Sequence, residues 1–201
     1  MTPIKVLLPL TAGLLLLASC GGGKVPSTQY YQLNLPPAPA AQGAQTDFSI
    51  VVLPFRASEI LTRDRVVYRP TPQEVGYYEY HLWAEDPAST VERAMIQAIE
   101  AQRTFSTVAG FDGRTKADFV LRGRLEQLEE IDYESGVNVK VTLSAELLDG
   151  QTQRVLWRGT ASESQSVDRS EVADVVAKLS NATSAAVKKL AADVDGYIRS
   201  R

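Results

Sequence analysis

Val137-Asn138-Val139-Lys140-Val141-Thr142-Leu143-Ser144-Ala145-Glu146-Leu147 alternates apolar and polar side chains along its whole length. Successive side chains of a strand point to opposite faces, so this stretch predicts a strand with one face in a core and the other in water. Asp149-Gly150 follows as a hairpin signal, and Val155, Trp157, Gly159 and Ala161 continue the apolar face on a return strand. Upstream, Asp118 to Tyr133 begins with the same alternation at Phe119, Leu121 and Leu125, then slips phase at Leu128 and Ile131, which predicts a β-bulge near Glu126. Three antiparallel strands therefore form the frame.

Two amphipathic helices flank that frame. Asp86-Pro87 starts the first: the carboxylate caps free amides, and proline at the first helical position gives up a donor that would have no partner. Its stripe is Val91, Met95, Ala98, Ile99 and Gln102 over Ala88 to Arg103. Asp168-Arg169-Ser170-Glu171 reads as a capping box, with Val167 and Val172 as its staple, opening a long second helix. The stripe of this helix is Val172, Val175, Val176, Leu179, Ala186, Leu190, Val194 and Tyr197, with Lys178, Ser184 and Lys188 on the wet side. Further strands are expected at Thr28–Leu33, Arg65–Arg69, Gly76–Trp83 and Phe105–Ala109, with a turn at Pro70-Thr71-Pro72. The continuous apolar run Phe48 to Leu53 marks a central strand buried on both faces. Strands, helix, antiparallel strands and helix in that order predict an α+β two-layer sandwich, a mixed and mostly antiparallel sheet with both helices on one face.

The N-terminus obeys a different logic. Lys5, an apolar core from Val6 to Leu17 and small residues before Cys20 have the three parts of a secretory leader. That core is shorter than the roughly 20 residues a spanning helix needs, and Gly21-Gly22-Gly23 follows at once. Residues 1–19 are thus expected to be removed, leaving the sole cysteine, Cys20, as the first residue, with its thiol free to take a diacylglyceryl group. The alternative is an ordinary secreted protein whose cysteine merely lies near the cut. Gly21 to Ser27 makes a leash of at most ~25 Å. Residues 28–201 are expected to be one domain, with the Pro- and Ala-rich Asn34 to Thr46 a loop inside it rather than a tether.

Composition excludes several chemistries. The chain carries 21 Lys and Arg against 24 Asp and Glu, a net charge of −3 that becomes −4 once Lys5 leaves with the leader. The basic residues are spread without a stripe, so no nucleic-acid partner is expected. With Cys20 acylated no thiol remains for a disulfide or a metal, and the only cofactor-like group expected is the covalent lipid. His81 is the only histidine, so no histidine cluster or relay can form. Glu129-Glu130 and Glu85-Asp86 are neighbours in sequence that point opposite ways on a strand, and Asp86 serves better as a cap. No enzyme is read from this chain.

What stands out is aromatic. Six of eight tyrosines (Tyr30, Tyr31, Tyr68, Tyr77, Tyr78 and Tyr80) precede residue 81, close to Phe55 and Trp83. Tyrosine joins an apolar body to a polar tip, which suits a binding surface, although it also packs well within sheets. Alternation from Gly76 to Trp83 places Tyr78, Tyr80 and Leu82 on one face and Tyr77, Glu79, His81 and Trp83 on the other. Because Glu79 and His81 are costly to bury unpaired, the second face is expected to be the exposed one, with Tyr80 in the core. Tyr68, Tyr77, His81 and Trp83 are therefore the expected partner-binding residues.

Cys20 with its preceding small residues, Tyr30-Tyr31-Gln32-Leu33, Val66-Val67-Tyr68-Arg69, Tyr78, Tyr80 and Trp83-Ala84-Glu85-Asp86-Pro87 together resemble the ABC-type transport auxiliary lipoproteins, the family that includes the PqiC-like lipoproteins. That family usually reads Trp-Ala-Glu-Pro-Leu at the start of the helix, where this chain has Asp86 before Pro87 and Ala88 after it. The resemblance implies a lipid-anchored protein of the outer membrane facing the periplasm, without enzymatic activity, that docks the MCE-domain protein of an intermembrane lipid transport system. It leaves self-association into a homo-oligomer open. A structural lipoprotein that stabilises an outer-membrane complex, or a lipid carrier with its own pocket, are the alternatives.

Overall fold

The frame strands form and pair as their alternation requires. In a computed structural model that describes residues 26–37, 39, 45–133, 136–168 and 171–201, the chain runs β1 (Gln29–Tyr31), β2 (Ser49–Val52), β3 (Arg56–Ala57), a 3-10 turn (Glu59–Leu61), β4 (Arg65–Thr71), β5 (Glu74–Trp83), α1 (Pro87–Gln102), β6 (Thr107–Gly110), β7 (Phe119–Ile131), β8 (Asn138–Asp149), β9 (Val155–Ser166) and α2 (Val172–Arg199). Leader, Cys20 and residues 21–25 lie outside the described residues, as do 38 and 40–44 of the Pro/Ala-rich stretch. On β8, Val139, Val141, Leu143, Ala145 and Leu147 are buried while Lys140, Thr142, Ser144 and Glu146 are half-exposed.

β7 is the strand to which the others refer. One of its long edges pairs antiparallel with β8, which pairs antiparallel with β9. The other edge takes three short strands end to end, all parallel to it: β2 at Phe119–Leu121, β3 at Arg124–Leu125 and β4 at Glu129–Ile131. Beyond β2 lies β6, so the apolar run of β2 is flanked on both sides. Beyond β4 come β5, antiparallel, and β1, parallel. Five of these strand contacts are parallel, yet the long β7–β8 and β8–β9 contacts carry most of the aligned residues, and the fold is α+β. The register shift between Leu125 and Gln127 is the bulge the phase slip required.

Both helices pack on the face to which Val139, Val141 and Leu143 point, in one core with Val91, Met95, Ile99, Val175, Leu179 and Leu190. Asp86 caps α1 by accepting from the backbone amides of Ala88 and Ser89, each at 3.2 Å. The start of α2 corrects the capping-box expectation: its first flanking residue is Glu171, without a side-chain cap. Asp168 instead reaches Lys178 of the first turns at 3.4 Å, and Arg169 and Ser170 lie outside the described residues. Val167 and Val172 do enter the core. α2 is buried over a wider arc than one stripe, Ala182, Thr183 and Val187 included, because α1 covers a second flank. At its end Ile198, rather than Tyr197, is the buried residue.

The segment after β1 belongs to the core. Leu33 is buried, Leu35 packs against it, and the amide of Asn34 donates to Ser180 Oγ of α2 at 3.1 Å. Pro70 and Thr71 continue β4, so the turn to β5 falls at Pro72 and Gln73. Among the described residues no helix is long and apolar enough to cross a membrane.

Candidate functional site

A step in register between β4 and β5 decides where the tyrosines go. Val67 faces Tyr77 and Arg65 faces Leu82, so β5 advances five residues while β4 advances two. The extra residues form a bulge that reverses the alternation between Tyr78 and His81. Tyr78 and His81, opposite by simple counting, thereby meet on one face with ring centroids 5.4 Å apart.

The result is an aromatic row across β4, β5 and β1. Tyr68 lies against Tyr78 at 5.0 Å, Tyr78 against His81 edge-on, and His81 against Tyr31 at 5.7 Å. These separations are within the favourable range for aromatic pairs. The Tyr31 hydroxyl donates to Gln29 Oε1 at 2.5 Å and sits 3.1 Å from His81 Nδ1. Gly76 makes the row fit, because a Cβ there would stand 2.2 Å from the Tyr68 ring. Tyr68, Tyr78, His81 and Tyr31 are each half-buried, so the row is in part open to solvent.

The Glu129-Glu130 pair, set aside in the sequence as an acid and base, is buried here, with Glu130 beneath the row. Tyr68 is the register partner of Glu130, which faces Val139, so the row shares the helix-bearing face of the sheet. Glu130 is 3% exposed and accepts the Tyr78 hydroxyl at 2.9 Å. Burial, with the neighbouring Asp132 adding to it, raises its carboxyl from 4.5 to about 7, against the opposing effect of the Tyr78 hydrogen bond. Burial and the bond to Glu130 push the Tyr78 phenol up in turn. Tyr31 is also raised, by burial first and then by the negative Glu171 at the start of α2. Glu129 points to the opposite face, fully buried, where Arg69 holds it through Nε (3.2 Å) and Nη2 (2.9 Å) and Gln127 Nε2 donates at 3.1 Å. The Glu129-Glu130 pair thus faces opposite ways as adjacent strand residues must. Leu128 and Ile131 stand at the two ends of the pair, but the burial of both carboxylates follows from the pairing of β7 with β4 and β8.

Of the expected partner-binding residues, the row holds Tyr68 and His81. Tyr77 is on the other face, its hydroxyl donating to the Ile60 carbonyl at 3.2 Å and its ring under Arg63 at 4.6 Å, and it packs against the core. Trp83 corrects the expectation of exposure: it is 7% exposed and part of the core. Tyr80, expected in the core, is half-buried and outside it. The bulge accounts for these reversals. Cys20 lies outside the described residues. Glu85, passed over as a chemical group, ties the start of α1 to the segment after β1, accepting from Gln32 Nε2 (2.7 Å), Thr90 Oγ1 (2.8 Å) and Arg93 Nη2 (2.7 Å). Among the described residues no group of histidine, cysteine or carboxylate side chains is arranged to hold a metal.

Residues 31–192 match the family model described as the ABC-type transport auxiliary lipoprotein component. Among solved structures, a Xanthomonas campestris protein of family DUF330 superposes with a TM-score of 0.77 at 21% identity, over 86% of this chain and 98% of that one. An uncharacterized protein gives 0.66 at 12% identity, over 84% and 99%. A hypothetical protein from Chlamydia trachomatis gives 0.55 at 9%, over 78% and 100%. A search of curated proteins returned no match.

Proposed function

The chain belongs to the ABC-type transport auxiliary lipoprotein family, and from that premise we propose that it is a non-enzymatic docking component, acylated at Cys20 and held at the outer membrane with its domain facing the periplasm. Its partner is the MCE-domain protein of an intermembrane lipid transport system. The leash of residues 21–27 reaches at most ~25 Å, so the domain stays near one membrane and a transport role requires a partner that spans the gap. The aromatic row Tyr68–Tyr78–His81–Tyr31 carries the choice of surface. It lies toward the sheet edge formed by β1, its rings are fixed by one another, and fixed aromatic side chains lose little entropy on binding.

Capture of the lipidated protein, with identification of what accompanies it, tests this reading. Wild type is expected to bring the MCE protein along, and Tyr31→Ala with His81→Ala to lose it while melting close to wild type. Equal capture by that variant would move the contact elsewhere. Mass spectrometry of the mature N-terminus is expected to find diacylglyceryl-Cys20; an unmodified cysteine, or a cut at another position, would remove the anchor.

A further inference from the structure

On the sheet face away from the helices, four arginines converge that the sequence keeps far apart. Arg56 on β3 is the register partner of Arg124 on β7, while Arg122 faces Glu146 on β8 and Glu146 faces Arg158 on β9. Together they wall a cleft of about 340 Å³, a volume within the range of small-molecule sites. Basic residues spread along the sequence become neighbours here once β3, β7, β8 and β9 align.

The charges do not cancel. Glu146 accepts from Nε (2.9 Å) and Nη2 of Arg122 and from Nε of Arg158 (2.8 Å), and these two arginines hold its carboxyl below the ordinary range. Arg124 donates through Nε to Glu126 at 2.9 Å. Four cations thus face two carboxylates, an excess of two positive charges on a chain whose net charge is −3. Among the described residues, the Nη groups of Arg124 and Arg158 make no hydrogen bond, and the Arg56 guanidinium makes neither a hydrogen bond nor an ion pair. Glu126 and Glu146 hold Arg124 and Arg158 by Nε, so the hydrogen-bond donors of their outer Nη groups are free. Such preorganisation removes part of the entropy cost of binding.

We propose that this cleft binds a phosphate ester, the chemistry shared by a phospholipid headgroup and a soluble phosphomonoester. A phosphate directs oxygens toward several arginines at once, and charge-assisted pairs to guanidinium are the strong ones. The reading is independent of the docking surface, which lies on the other face and is measured by capture. Titration calorimetry of the full chain in detergent would use sn-glycerol 3-phosphate, dihexanoylphosphatidic acid below its micelle concentration and a polyglutamate peptide. The Arg56→Gln/Arg158→Gln variant runs alongside, with its melting temperature as the control for folding. We expect saturable binding of the phosphate esters that weakens about tenfold or more in the variant and declines with added salt. Tighter binding of the diacyl compound assigns a lipid headgroup and equal binding a soluble ester; both uphold the proposal. No saturable binding, binding unchanged in the folded variant, or tighter binding of polyglutamate than of either ester would overturn it.

Discussion

Glu130 sits in the helix-bearing face with a phenol for a partner and no cation among the described residues, whereas its neighbour Glu129 is held by Arg69. The two therefore respond differently to perturbation. Unfolded, the Glu130 carboxyl titrates near 4.5; folded, at about 7. Between these values the folded state binds more protons, so the stabilisation is complete below 4.5 and is lost as pH rises through 7. At most about 3 kcal/mol is involved. Wild type is expected to melt several degrees lower at pH 8 than at pH 5, and Glu130→Gln, which has no proton to lose, to show a smaller drop; equal drops would remove Glu130 as the cause. For Glu129, removing its cation by Arg69→Ala should cost about 3 kcal/mol in denaturant unfolding, since it strands a buried carboxylate. The double change Arg69→Met with Glu129→Leu should recover much of that loss, because an apolar pair needs no partner.

At the level of elements, α2 is the support on which the sheet face rests. Leu179 and Leu190 are fully buried in the core shared with β8 and β9. An aspartate at either position would be buried without a partner, at a cost of several kcal/mol. Melting of Leu179→Asp or Leu190→Asp within a degree or two of wild type would show that the helix does not pack as described. Between β4 and β5 the critical contact is Gly76 beneath the Tyr68 ring. Gly76→Val must push that ring aside, so it should destabilise the fold and separate Tyr68 from Tyr78; near-ultraviolet circular dichroism would register the change in tyrosine environment.

For the whole molecule, the sheet divides two chemistries. One face carries the helices and, at the end reached by β4, β5 and β1, the aromatic row; the other carries the arginine cleft. A domain built this way can hold a partner by one face while the other stays open to an anion. If the anchor is Cys20, the Cys20→Ala protein should leave the membrane fraction and appear with the soluble periplasmic proteins. Continued sedimentation with outer membranes would mean that another part of the chain binds them.

β8, its hairpin with β9, the bulge in β7 and the capped start of α1 were legible in the residues alone, because each follows from rules that act over a few residues. Alternation sets a strand face, a phase slip demands an extra residue, and Asp-Pro supplies a cap and a first helical residue. The family resemblance was also legible, since it rests on short motifs in order. Tertiary structure alone decided the faces of β5, where pairing with β4 forces extra residues out and brings Tyr78 beside His81 while turning Trp83 inward. It also decided that Glu129 and Glu130 are buried and that Arg56, Arg122, Arg124 and Arg158 share a cleft. Register between strands distant in sequence fixes these placements, and periodicity within a single strand carries no information about it.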